Sequence, residues 1–386
     1  NGGEPVKPGD FTFGPNTATG GSYSGTVEGP DGTKTLSNIE VVQVANTGSS
    51  TFLVRDGMSI QAAIGASDMG DTVLVGPGTY DENLTIDKEI TLLGAQEGVD
   101  AKGRDVEGST GETTIEGTIQ VTAPDVTTKG LRVAATGNAP IDATNDATNF
   151  TLRNTILDHE GGGTALVRIN GDGSSAINNV IDRSIDNGPE AGLAFGVNND
   201  DGVDSATITG NALNNTQIGV VTKSSLNGNP AIEISGNIVD PATPAEGKDA
   251  IWLTGPGFGA VPDGGLDKIE ISDNLIGDNS GVQINGTSGD DNLSRFATDG
   301  NDLLKGRGGE DTVNGGAGND TLDGGDGEDT AVFSGNPEQY DIGLDDDDKV
   351  TVTDTDTQDV DEGTDTLQNI EKLSFDGTTY RLLTDG

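Results

Sequence analysis

The sequence predicts an all-β fold built by stacking: a right-handed parallel β-helix with a short N-terminal capping helix, followed by a parallel β-roll. Three observations predict it. A nonapeptide, G-G-x-G-x-D-x-U-x with U a large aliphatic residue, occurs five times between 286 and 332. A looser signature of aliphatic, polar, Asn, aliphatic recurs between 152 and 276. Hydrophobic residues make up only 31% of 386 residues and the formal net charge is −45. That balance leaves little apolar surface to offset chain entropy, yet Gly and Asp sit in ordered patterns among short β-branched runs. The charge therefore reads as an inventory of sites for a divalent cation.

Residues 1–57 form the first segment. Asp31-Gly-Thr-Lys-Thr-Leu-Ser-Asn-Ile-Glu40 reads almost as Glu362-Gly-Thr-Asp-Thr-Leu-Gln-Asn-Ile-Glu371, and Phe52-Leu-Val-Arg-Asp-Gly57 echoes Arg381-Leu-Leu-Thr-Asp-Gly386. The offsets, 362 − 31 = 331 and 381 − 52 = 329, differ by a two-residue gap. Residues 1–57 are thus expected to be a β-rich, cap-like segment resembling the end of a preceding unit. With neither an initiator Met nor a signal peptide at Asn1, the chain reads as a processed product or fragment of a tandem or end-to-end array.

The second segment, 58–285, reads as the β-helix. Ser59-Ile-Gln-Ala-Ala-Ile-Gly-Ala66 places apolar residues at Ile60, Ala63 and Ile64 behind a Ser that can N-cap them, a helical plug for an open β-helix end. Asp71-Thr-Val-Leu-Val75, Leu84-Thr-Ile86 and Ile90-Thr-Leu-Leu93 alternate as half-buried strands. The later rungs carry Asn154, Asn179, Asn211, Asn237 and Asn274, spaced 25, 32, 26 and 37 apart, which fits coils of a little over 20 residues with insertions. Asn tolerates the left-handed bend between strands, and stacked amides can satisfy one another, so these residues are architectural.

The third segment, 286–333, holds the nonapeptides: Gly286–Ser294, Ala297–Lys305, Gly306–Asn314, Gly315–Asp323 and Gly324–Val332. Position six is Asp291, Asp302, Asp311, Asp320 and Asp329; position eight is Leu293, Leu304, Val313, Leu322 and Ala331. The first six residues turn the chain, using glycine where φ must be positive, and the rest form a short strand with its middle side chain inward. Alternate repeats form opposite sides of a flattened coil, so Asp291, Asp311 and Asp329 line one edge and Asp302 and Asp320 the other. Stacked carboxylates and carbonyls then converge on a hard, oxygen-seeking cation. The candidate ligands are these five aspartates, the turn residues Gly289, Gly300, Gly306, Gly308, Gly315 and Gly324, and Asp299 and Asp326. About three complete calcium sites are expected, with weaker ones at the ends. Residues 334–386, with the acidic Asp345–Asp348 run and Gly363–Phe375, are expected to cap the roll with β-strands.

The nonapeptides and their cap resemble the repeats-in-toxin (RTX) family of exported bacterial proteins over 286–386, and the opening of the β-helix resembles the pectin-lyase-like superfamily. The first resemblance implies calcium binding, an extracellular or cell-surface location and one-step (type I) secretion. The absence of cysteine removes disulfides as the extracellular staple. No stretch is apolar enough to span a bilayer, and the acidic balance excludes nucleic acid as a partner. The expected function is a structural or adhesive module of a surface layer, fibre or adhesin, with self-association and a glycan or cell-surface partner.

The alternative expectation is a polysaccharide-modifying enzyme. Alginate epimerases couple a β-helix to nonapeptides, but their Tyr, His and Asp constellation does not transfer. The single His, His159, sits in Leu157-Asp-His-Glu-Gly161, and Tyr80 is the one Tyr of 58–285, several coils away. Asp158, His159 and Glu160 with Arg153 remain weak catalytic candidates, because consecutive strand residues do not share a face. Trp252 and Phe258 are candidates for a binding patch or a contact between subunits.

Overall fold

The computed structural model describes residues 49–104, 111–135, 139–159, 165–183, 191–196, 202–214, 216–226, 231–240, 250–255, 261, 265–272, 274–276, 280–356 and 361–382. Of residues 159, 165, 183, 191–192, 240, 275 and 280, and of the strands at 12–13, 23–29, 32–39 and 42–45, only the backbone is described. The regular secondary structure of the described residues is nearly all β-strand, and the chain divides into two compact units, Asn1–Glu190 with Thr207–Ala212 and Ala191–Ala206 with Leu213–Gly386.

In the first unit, short alternating strands cannot bury both faces locally, so they stack into parallel ladders, one strand per coil. The first ladder runs from Ser50–Val54 through Thr72–Val75, Thr91–Leu93, Thr127–Lys129 and Thr151–Arg153 to Ser174–Ile177. A second joins Gly78–Tyr80, Thr113–Ile115, Arg132–Ala134, Ile156–His159 and Val180–Arg183. A third joins Leu84–Ile86, Ile119–Val121, Ile141–Ala143 and Ala165–Ile169. Register places side chains in columns: Val73, Leu92, Thr128, Leu152 and Ala176 are superposed and each is at most 1% exposed. A fully buried Leu or Ile in such a column contributes about 1.5–3 kcal/mol.

The expected capping helix is present at Ile60–Ala66, with Ser59 Oγ accepting from the Ala62 amide at 3.0 Å and with Ile60, Ala63 and Ile64 buried. Seven residues are too few to hold a helix alone, and the next coil supplies both ends. Glu82 accepts from Ser59 Oγ and from the Ile60 and Gln61 amides at 2.8–3.0 Å. Lys88 Nζ donates to the carbonyls of Ile64, Gly65 and Ser67 at 2.8–3.2 Å. Each charge opposes the partial charge of its helix end.

One detail of the asparagine pattern is corrected. Ile156 pairs with Val180, which sets Thr155 over Asn179 and Asn154 over Asn178. The left-handed bend belongs to the residue before the stacking amide: Asn154 (φ 50°), Asn178 (55°), Gly210 (68°) and Gly236 (62°). The stacking amides are Asn211 on Asn179 and Asn274 on Asn237: Asn211 Oδ1 accepts the Asn179 backbone N–H at 3.0 Å and its Nδ2 at 2.9 Å, and Asn274 Oδ1 does the same for Asn237. Two adjacent positions share the two duties that the sequence reading assigned to one.

In the second unit one ladder runs unbroken from coil to roll: Ala191–Phe195, Gln217–Val221, Ile251–Thr254, Ser280–Asn285, Asn301–Gly308, Thr321–Asp326 and Thr364–Gln368. Its central column is Phe195, Val220, Leu253, Ile284, Leu304, Leu322 and Leu367, all buried. The step from helix to roll is therefore a continuation of one stack. The roll's opposite side joins Thr312–Val313, Thr330–Phe333 and Lys372–Phe375, with Thr378–Arg381 antiparallel at its margin. Phe333 stacks on Phe375 at 5.2 Å between ring centres, with Tyr340 5.3 Å from the first and 5.0 Å from the second. This aromatic cluster closes the roll where its aliphatic column ends.

Candidate metal centre

Each nonapeptide turn is held by the turn stacked on it. Asp311 Oδ1 accepts the Asp291 amide at 2.8 Å and Asp329 Oδ1 accepts the Asp311 amide at 2.7 Å. On the other edge, Asp320 Oδ1 accepts the Asp302 amide and Asp302 Oδ1 accepts the Val282 amide, both at 2.7 Å. The turns can approach this closely only because of glycine. Gly309, Gly318 and Gly327 adopt φ of 119°, 122° and 150°, and a methyl group on any of them would overlap a carbonyl of the turn below, that of Gly289, Gly300 or Gly309.

The second carboxylate oxygen separates the turns into two kinds. Thr287 Oγ1 donates to Asp291 Oδ2 and Thr298 Oγ1 to Asp302 Oδ1, while the amides of those threonines donate to the Oδ2 atoms at 2.6 and 2.7 Å. In the next three turns position two is Arg307, Gly316 or Gly325, each at positive φ. There Asp311 Oδ2, Asp320 Oδ2 and Asp329 Oδ2 are buried without a hydrogen-bond donor. Burial, reinforced by Asp291 and Asp329, pushes the Asp311 carboxyl up to about 7. Burial, reinforced by Asp302 and Glu362, does the same to Asp320. Burial also raises Asp329, with the Glu371 charge adding to it.

A buried, acceptor-only oxygen facing backbone carbonyls calls for a cation, and an all-oxygen donor set suits a hard one. Asp311 Oδ2 and the Gly324 carbonyl both border the space a Cβ on Gly306 would fill, and Asp291 Oδ2 and the Gly306 carbonyl border the same space at Gly286. Calcium bound here would be held by position-six aspartates of two stacked turns together with turn carbonyls, and would supply the positive charge those oxygens lack. Among the described residues no three acidic or His side chains converge at one point, as expected where carboxylates come in pairs and carbonyls complete the set. Gly308 and Gly315 lie in the same turns, Gly315 against Asp320 Oδ2. Asp299 and Asp326 are exposed.

The weak catalytic candidates occupy separate places. Asp158 lies on the second ladder and forms an ion pair with Arg132 of the preceding coil at 2.6 Å. Arg153 ends a strand of the first ladder with its side chain exposed. The His159 side chain, Glu160 and Phe258 lie outside the described residues. The half-buried Trp252 pairs in register with Gly219, whose missing side chain leaves room for the indole.

These features define a class, a parallel β-helix that continues into a β-roll with metal-seeking turns. Residues 296–331 match the family model of the RTX calcium-binding nonapeptide repeat, in four copies. The chain thus carries RTX repeats, which bind calcium and are typical of secreted proteins. No curated protein and no solved structure matches the chain. No helix among the described residues is long and apolar enough to cross a membrane.

Proposed function

We propose that the chain is a secreted, calcium-folded structural or adhesive module of a bacterial surface layer, extracellular fibre or adhesin, in which such units repeat end to end. The supporting observation is how one internal sequence copy is used. In the first unit the hairpin Val42–Ala45 with Ser50–Val54 follows the Asp31–Glu40 motif, and its second strand pairs in parallel with Thr72–Val75 of the first coil. In the second unit the hairpin Lys372–Phe375 with Thr378–Arg381 follows the matching Glu362–Glu371 motif, and its second strand is the last of its sheet. Tyr380 on that strand is 46% exposed. A margin strand with such a counterpart is suited to receive the first coil of another unit.

Calcium binding to the folded roll alone would favour its folding in proportion to the logarithm of calcium concentration, keeping the roll unfolded in a low-calcium cytoplasm and folding it outside. Analytical ultracentrifugation in millimolar calcium tests the array. The expected result is concentration-dependent end-to-end oligomers that Thr379→Pro abolishes; a monomer at every concentration contradicts it. A glycan array separates an adhesive from a purely structural module. Unsaturated product or a changed uronate ratio on alginate or pectin, lost in Asp158→Asn, would replace this reading with a polysaccharide-modifying enzyme.

A further inference from the structure

We propose that the calcium ladder extends one turn beyond the matched repeats, and that Asp320 and Asp365 hold a further calcium ion between their stacked turns. After Phe333 the chain leaves the roll for a hairpin, Tyr340–Leu344 with Val350–Asp354, and returns as Thr364–Gln368. That strand lies in parallel register on the fourth nonapeptide, Thr366 on Thr321 and Leu367 on Leu322. The register sets Asp365 directly over Asp320.

Three contacts that mark a nonapeptide turn are then repeated. Asp365 Oδ1 accepts the Asp320 amide at 2.9 Å, as Asp320 Oδ1 accepts that of Asp302 at 2.7 Å. Asn319 Oδ1 accepts the Thr364 amide at 2.7 Å, as Asn301 Oδ1 accepts that of Asn319 at 2.8 Å. Gly363 takes φ 71°, and a methyl there would overlap the Gly318 carbonyl, just as one at Gly318 would overlap that of Gly300. Asp365 is 2% exposed and Asp320 1%, and Asp320 Oδ2 has no donor. Two buried carboxylates on adjacent turns, one with an unpartnered oxygen, need a cation between them. The all-oxygen surroundings select a hard divalent ion.

The opposite edge ends differently. Glu371 Oε2 accepts the Asp329 amide at 2.9 Å. The register is 368 − 323 = 45 before this turn and 372 − 330 = 42 after it, so the turn is three residues short. The Asn369 carbonyl still borders Asp329 Oδ2 in the space a Cβ on Gly324 would fill, and Glu371 stands where the next position-six aspartate would.

The test is the calcium count of the full chain, by native mass spectrometry and equilibrium dialysis. Asp365→Asn is expected to bind one calcium fewer than the unaltered protein, while the exposed-turn control Asp376→Asn keeps the full count. An unchanged count in Asp365→Asn, or an equal loss in Asp376→Asn, overturns the proposal. Should Asp365→Asn fail to fold, anomalous diffraction from the unaltered protein grown with terbium decides: a peak between the Asp320 and Asp365 carboxylates supports the site, and its absence refutes it.

Discussion

At the turns of the β-helix, Asn211 Oδ1 accepts the Asn179 amide at 3.0 Å; at the turns of the roll, Asp329 Oδ1 accepts the Asp311 amide at 2.7 Å. Both side chains stand in buried files and bind the backbone of the turn beneath. They differ in the second atom. Asn211 Nδ2 donates to the Ala176 carbonyl at 2.9 Å, completing its own hydrogen bonding. Asp329 Oδ2 can only accept, and finds no donor. An amide ladder is therefore self-sufficient, whereas a carboxylate ladder of the same design requires a cation. One atom per turn, nitrogen or oxygen, decides whether a stack folds on its own or on command.

The largest expected effect breaks the self-sufficient ladder. Asn211→Ala leaves the Asn179 backbone N–H and the Ala176 carbonyl buried without partners and should cost about 3 kcal/mol, with calcium and chelator giving the same loss in denaturant titrations. Exchanging the atom sharpens the comparison further. Asp311→Asn should lower thermal stability in calcium, by about 2 kcal/mol for a lost ligand, and raise it in chelator, because the amide can donate where the carboxylate could not. A change of the same sign in both buffers would show that the second oxygen does not matter.

The pH dependence should be smaller and opposite in the two buffers. Asp311 and Asp320 are pushed up to about 7 and Asp365 to about 8, in each case chiefly by burial, against about 3.9 in an unfolded chain. Their folded values lie above their unfolded ones, so in chelator their protonated forms stabilise the roll below about pH 4. That contribution is lost as pH rises through 7 to 8. In calcium the ionised forms are the ligands, and stability should rise over the same range; melting curves from pH 4 to 9 check the two slopes. The smallest effect belongs to the first turn: Thr287→Gly removes the hydroxyl that serves Asp291 and should steepen the calcium titration slightly without moving its midpoint by more than about threefold.

The nine-residue phase, the inward aliphatics and the pairing of alternate turns were legible because one side-chain type recurs at a fixed spacing. Asp365 was not, because the hairpin between Phe333 and Thr364 breaks the phase, and Glu371 was not, because its turn is shortened. The threonines at 287 and 298 were visible, but their effect on the second oxygen depends on backbone geometry that spacing does not encode. Ser59 announced the capping helix, whereas Glu82 and Lys88 reach it from the next coil and leave no local mark. The asparagine pattern was read one residue out of register at Asn154, since a left-handed bend and a stacking amide favour the same residue type.

The central claim is that the carboxylate files hold the roll only through calcium, while the amide files hold the β-helix without it. Hydrogen–deuterium exchange of the full chain in millimolar calcium and in chelator measures both regions in one experiment. The account predicts that chelator abolishes protection of amides across 287–330 while those across 72–93 and 113–134 exchange as slowly as before. Equal protection of 287–330 in both buffers, or loss of protection in both regions together, would contradict it.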